Sequence, residues 1–419
     1  MLQRDGVSPQ GKGLARPVTR RDFVRGAAAV TFLGMSGVLS ACADEVASSP
    51  KETAEKRSPL RIGYLPILDA SPLLIAHAKG LYEQAGIEAE KPVLMRNWAS
   101  LSEAFMSGQV DLAHFLSPIP IFMRYNLNFP VKVIAFDHVN GSGITVKDES
   151  DIKDIADLAG KKIGIPHFYS VHNVLLQYAL RDNGIEPVIE SDVKRITSKQ
   201  AALTLKMPPD KPTALAEGSI DPNIVAEPFN AAGELLAGGR VLRFTGDMWK
   251  DHACCQAVLN EKAIEKDRVW AQAVTAAVVA GEAWTLENPD EAASILSKEG
   301  AGYLPMPEKV ISHAMSSYDV AKYGPEGTGA IQHPEWNAKR ISFNPQMYRS
   351  YTVKLVELLK QTKVEGDSAF LASLDGETVA DELFDYALLD EALAKAGGLE
   401  RFSIDGQVAT ETREEIIEI

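Results

Sequence analysis

The densest concentration of reactive side chains in this sequence is His252-Ala253-Cys254-Cys255-Gln256. Three physical readings of it stand open. The cysteines can be small buried residues on a strand. They can join as a vicinal disulfide, a stiff apolar plate against a ligand, if export exposes them to oxidation. With His252 they can bind a soft metal such as copper or zinc, although three donors from five adjacent residues make a cramped tetrahedron. A second pair, His167 and His172, stands at the mouth of a predicted helix. A helix N-terminus tends to keep a histidine neutral, so either can donate one hydrogen bond to an anion or polar group. Asn140 opens Asn140-Gly141-Ser142-Gly143, where glycine lets backbone approach a ligand closely or simply makes a hinge turn. Asp69 and Ser71 lie in a strand-to-helix loop, and Ser117 and Glu227 stand at the openings of later helices. Trp98 is placed either to stack on a ligand or to pack in the core. No Ser/His/Asp arrangement, P-loop or pair of acids in an apolar setting occurs. The expectation is a binding site with no cofactor and no assigned metal.

The elements that must hold these residues follow from the apolar patterning. Leu60–Ile67 reads as a short buried strand, and Leu73–Gln84 as the helix after it, with Asp69 or Ser71 as cap and Pro72 in the first turn. Such a junction aims unpaired backbone N–H groups and a partial positive charge at the loop. In open α/β sheets ligands settle beyond the carboxyl ends of the strands. Further strands are predicted at Ile87–Met95, Val131–Asp137, Ile144–Val146, Lys162–Ile165, Val193–Ile196 and Ile224–Ala226, and helices at Leu101–Met106, Asp151–Leu158 and Val174–Asn183. His138–Gly143 reads as a polar loop, and Asp247 and Asp251 are expected to face solvent. Alternation of strand and helix is the signature of doubly wound sheets. Arg240–Phe244 and Ala257–Leu259 would carry the chain back to the first sheet, and Lys262 to about Thr362 reads as helix-rich.

At 419 residues two lobes rather than one core are expected. Lys and Arg number 43 against 57 Asp and Glu, a net charge of −14, which argues against nucleic acid as partner. No apolar run reaches the ~20 residues that span a bilayer. With three cysteines, Cys42, Cys254 and Cys255, no disulfide framework holds the fold. Residues 1–41 read as an address: Thr19-Arg20-Arg21-Asp22-Phe23-Val24-Arg25 followed by the weakly apolar Gly26–Leu39 resembles a Tat export signal. Leu39-Ser40-Ala41-Cys42 resembles a bacterial lipobox, cleaved to leave a lipidated Cys42. Residues 42–58 would then be a flexible tether to a membrane face, outside the cytoplasm.

Three groups of motifs carry a wider resemblance. They are Gly-Tyr-Leu-Pro-Ile with Lys-Gly-Leu-Tyr after it, then Gly-Gln-Val-Asp-Leu-Ala, then Asp157-Leu158-Ala159-Gly160-Lys161-Lys162-Ile163-Gly164. In this order they resemble the substrate-binding proteins of ABC importers, nearest to the nitrate/bicarbonate, sulfonate and thiamine-precursor binders, over about residues 59–365. The resemblance implies a two-lobed α/β fold of the periplasmic-binding-protein type II (Venus-flytrap) kind, each lobe a doubly wound mixed sheet with flanking helices. Lobe 1 would comprise residues 59–143 and 244–365, lobe 2 residues 144–243, and residues 366–419 an acidic helical appendage. It also implies that His172 and Asn140 match pocket residues of the nitrate-type relatives, that the partners are a small solute and ABC permease subunits, and that the protein is not an enzyme. One departure stands out: where nitrate-type members have a lysine, this chain has Cys255, which puts nitrate and bicarbonate in doubt. The thiamine-pyrimidine synthase branch has a cysteine cluster in a similar place, so a heteroaromatic ligand, or a metal-dependent enzyme of that branch, is the alternative.

Overall fold

The computed structural model describes residues 57–207, 210–316, 318–336, 339–403 and 408–419. The expected export signal, Cys42 and all but the last two residues of the expected tether lie outside the described residues. The strands are β1 Ile62–Tyr64, β2 Val93–Leu94, β3 Leu112–Leu116, β4 Val131–Phe136, β5 Val139–Asn140, β6 Ser142–Lys147, β7 Lys162–Ile165, β8 Glu186–Ile189, β9 Gln200–Leu205, β10 Pro222–Ala226, β11 Gly239–Phe244, β12 Cys255–Asn260 and β13 Ile341–Ser342.

They form two main sheets. The first runs β2-β1-β3-β12-β4, with β1 parallel to both neighbours and β12 antiparallel to β3 and β4. The second runs β11-β6-β10-β7-β9-β8, with β6 antiparallel to β10 and β11 and the rest parallel. These are two mixed, doubly wound α/β lobes. Helices cover both faces of a sheet of this kind, so its inner strands read as continuous apolar runs; β3, Leu-Ala-His-Phe-Leu, is buried throughout. The chain passes from β4 through β5 into β6, and returns from β11 through Thr245–Asp247 and His252–Cys254 to β12. β13 pairs with β5 alongside the first crossing.

The Arg268–Glu287 helix packs on the Ser71–Ala78 helix that follows β1. Their contact is backbone to backbone: a Cβ at Gly281 would press on the Pro72 carbonyl oxygen and on Ala76. Beyond residue 363, Asp385 N–H donates to Val133 O (3.0 Å), and the Tyr386–Ala396 helix lies on the long helix. The Ile416 carbonyl and Glu418 N–H bond to Lys250 and Met248 of the return crossing, each at 3.0 Å.

Several local expectations are corrected. The helix predicted over Leu73–Gln84 is two helices, Ser71–Ala78 and Leu81–Gln84, because Gly80 takes a left-handed φ of 64° between them. Neither Asp69 nor Ser71 caps: Ser71 donates its hydroxyl to Leu68 O (2.5 Å). Asn97 caps the helix that holds Trp98, which begins at Trp98 rather than at Leu101. The second strand shrinks to Val93–Leu94, and Asp151–Leu158 yields only the 3-10 turn Ile155–Leu158. No strand forms at Val193–Ile196; β8 and β9 flank it. His138–Gly143 is not a loop but holds β5 and the start of β6. Asp247 does not face solvent: it is buried, 2.8 Å from Arg243 Nε, and accepts the N–H groups of Gln332 and His333.

Candidate ligand site between the lobes

The cysteine stretch is fastened through its backbone. Ser117 donates both N–H (2.8 Å) and hydroxyl (2.9 Å) to Cys254 O, and Asp137 N–H donates to Cys255 O (3.0 Å). Tyr351 OH donates to Ala253 O (2.6 Å), and Asn140 N–H to His252 O (2.8 Å). The two sulfurs are thus held at the end of the first sheet, where β1, β4 and β12 converge. Asp69, in the turn after β1, and His138, just past β4, meet them there. One donor atom from each of Asp69, His138, Cys254 and Cys255 lies within 4.8 Å of the others. From the second lobe, Ser142 Oγ and His172 Nε2, 2.8 Å apart, face Cys254 Sγ at 3.9 and 4.0 Å. All six side chains are buried.

Asp69 Oδ2 approaches His138 Nε2 to 2.8 Å, but off the line that a hydrogen bond needs, so both carboxylate oxygens and both ring nitrogens lack a hydrogen-bond partner. Burial alone would raise the Asp69 carboxyl; the charge of His138 holds it below the ordinary range. Burial likewise opposes the charge on His138, and the Asp69 carboxylate outweighs it, carrying the imidazole up to about 10. Burial opposes ionisation of Cys254 too, yet the neighbouring Cys255 thiol and the His172 and His138 imidazoles hold it well below a usual thiol. Cys255 moves the other way through burial and the proton it shares toward Cys254. Burial pushes Asp137, next in the chain, well above the carboxylate range. These directions favour the carboxylate of Asp69, the imidazolium of His138 and the thiolate of Cys254.

The structure brings Asp69, His172, Cys254 and Cys255 together, with Ser117 bracing the backbone beneath them. It does not bring the others. His252 turns away, Nε2 to Thr245 Oγ1 (2.8 Å) and Nδ1 to Ala253 O (3.1 Å). His167 accepts Tyr169 N–H within its own loop (3.0 Å), and burial lowers it to about 4. Trp98 is a core residue, its ring 5.5 Å from that of His114. Asn140, at φ 62°, spans the crossings, donating to Asp251 and to Lys339 O. A Cβ at Gly246 would strike the Asn140 amide at 2.5 Å, so glycine there keeps the crossings close. Glu227 takes part in a separate charge cluster. Arg340 Nε donates to Glu227 Oε1 (2.5 Å) and Arg340 Nη1 to Glu234 Oε2 (2.9 Å); Tyr323 OH donates to Glu234 (2.7 Å), and Ala231 N–H to Glu227 (3.1 Å).

Sequence reasoning missed His138, His114 and Arg340. Asp137-His138 does repeat at the end of β4 the polar exit seen after β1, a signal that could have found His138. His114 accepts Leu65 N–H at Nε2 (3.0 Å), which places its proton on Nδ1, and burial drops it to about 3.

This two-lobed architecture with a walled-in polar floor is the periplasmic-binding-protein fold. The periplasmic nitrate-binding protein NrtA from Synechocystis superposes with a TM-score of 0.67 at 19% identity, covering 81% of this chain and 89% of that one. The ligand-binding component of an ABC-type import system from Staphylococcus aureus, determined with zinc bound, gives 0.60 at 21% identity over 80% and 99%. The chain belongs to the NMT1-like family, whose sequence model matches residues 53–297. The nitrate/nitrite binding protein NrtA of Nostoc is 28% identical over 272 residues, 60% of this chain and 59% of that protein. The chain thus spans less than two thirds of that relative's length.

Proposed function

We propose that this chain is the solute-binding component of an ABC importer, exported through its twin-arginine signal and anchored outside the cytoplasm by lipid on Cys42. Its lobes close on a small solute, which it passes unchanged to permease subunits. The observation that carries this reading is the floor itself: Asp69, His138, His172, Cys254 and Cys255 are wholly buried where two lobes meet, beside the crossings of the chain. Solvent reaches such a floor only when the lobes part about those crossings, and binding energy then selects the closed form. Similarity to nitrate/nitrite binding proteins supports the importer assignment. Cys255 in place of a lysine removes a fixed positive charge from a floor that also holds Asp69 and Cys254, which disfavours nitrate or bicarbonate and leaves sulfonates and heteroaromatic precursors ahead of them.

The test is a thermal-shift screen of the purified chain against anions, sulfonates and pyrimidines, with X-ray scattering to follow closure. A solute at a hundred times its Kd adds about 2.7 kcal/mol of stability, which raises Tm measurably. The expected hit leaves the protein chemically unaltered and contracts it. A flat screen, turnover of the hit, or a Cys42→Ala chain that still sediments with membranes would count against the reading.

A further inference from the structure

Asp69 and His138 are wholly buried and 2.8 Å apart, yet neither carboxylate oxygen and neither ring nitrogen has an aligned hydrogen-bond partner. Leaving a buried polar group unmatched costs about 1–3 kcal/mol, and more when it is charged. Two sulfurs complete the set, each donor atom within 4.8 Å of the rest. A tetrahedral zinc ion, with bonds of about 2.3 Å to sulfur and about 2.0–2.1 Å to nitrogen and oxygen, needs donors about 3.3–3.8 Å apart. Closing the widest separations by about 1.0–1.5 Å, and opening the Asp69–His138 pair from 2.8 Å by about 0.5 Å, satisfies that. The backbone under both cysteines is already pinned by Ser117 and Asp137.

We propose that Asp69, His138, Cys254 and Cys255 form a binding site for a thiophilic divalent cation, zinc(II) by its donor set. One carboxylate oxygen, one imidazole nitrogen and two thiolates suit zinc; the hard oxygen sets the site apart from all-sulfur copper(I) sites. All four donors come from the first lobe, so the cation loads while the cleft is open. Ser142 and His172 then close over it from the second lobe without ligating. His252, which the sequence groups with the cysteines, is excluded by position, since both its ring nitrogens face other partners. The site uses four of the five floor residues on which the importer reading rests, but ion binding needs no transport: a chain that delivers nothing would still hold the ion.

The experiment titrates reduced, metal-stripped full-length protein with zinc chloride and with cobalt chloride. The expected result is one equivalent per chain, a thiolate-to-cobalt charge-transfer band with tetrahedral d–d absorption, and protection of both thiols from alkylation by zinc. Loss of an outer partner alone weakens metal sites by about 10–100-fold. Asp69→Asn, His138→Gln and the Cys254→Ser/Cys255→Ser pair therefore each weaken zinc by about a hundredfold or more, while His252→Gln retains it. Circular dichroism checks that each variant folds, and the alkylation readout on the unmodified chain needs no variant. Absence of the charge-transfer band, undiminished zinc binding by the double serine variant, or loss in His252→Gln with retention in His138→Gln would overturn the site. Zinc binding with a flat solute screen supports the site while sinking the importer reading; a solute hit with no zinc binding does the reverse.

Discussion

Two buried charge clusters lie near the meeting of the lobes, and they are built on opposite principles. Around Arg340, the carboxylates of Glu227 and Glu234 are filled by guanidinium, tyrosine hydroxyl and backbone N–H groups. Around Asp69, the carboxylate and the His138 imidazole stand 2.8 Å apart as an ion pair, but their oxygens and nitrogens make no aligned hydrogen bond. In the Arg340 cluster only Arg340 Nη2 is left without a partner among the described residues, and a cluster so nearly satisfied ties elements together and gains little from any added group. An unsatisfied one is tolerable only if something outside the chain completes it. The contrast marks the Arg340 cluster as structural and the Asp69 cluster as the place for a ligand.

The contrast can be broken in three ways. Arg340→Met should have the largest effect, because it strands Glu227 and Glu234 in the interior: a loss of about 3–5 kcal/mol, read as a lower urea midpoint at unchanged slope. Acid comes next. Burial raises the Glu234 carboxyl, but hydrogen bonding from His313 and the charge of Arg340 take it down to about 2 from 4.5. A depressed carboxylate contributes stability that is fully present above 4.5 and is lost as pH falls toward 2. That amounts to about 3 kcal/mol, measured by denaturant unfolding across this window and flattened in Glu234→Gln. The smallest effect should be Asp69→Asn without metal, because the ion pair it breaks has no aligned hydrogen bond and His138 can discharge its proton once its counter-charge is gone, read as a smaller drop in urea midpoint than Arg340→Met gives. A loss from Asp69→Asn as large as that from Arg340→Met would erase the distinction.

How much of this is legible in the sequence depends on the range of the interaction. The loop after β1 and the cysteine pair can be read locally, one from a strand running into a proline-opened helix, the other from adjacency. Arg340 cannot, because its partner Glu227 is far away along the chain, and for His138 the polar exit after β4 marks the residue but not its partner Asp69, which only the fold brings close. The same holds for strands. Val193–Ile196 has the β-branched residues of a strand but no neighbour to pair with, whereas Gln200–Leu205, with weak strand formers in Ala201 and Ala202, becomes β9 because β7 and β8 flank it. The His252 reading fails for a related reason. Its ring points away from the thiols because Thr245, in the same crossing, offers it a nearer partner.

Gly281 is no part of the Asp69 cluster, yet it sets where the turn carrying Asp69 can rest. With no side chain between the long helix and Pro72, the two backbones act as a hard stop. Even a methyl group at 281 would act as a wedge, tipping the neighbouring helix and, through it, the aspartate two residues before Ser71. The placing of the Asp69 cluster is therefore exposed to drift at a buried, chemically silent position, and can be shifted there without changing any residue of the cluster itself.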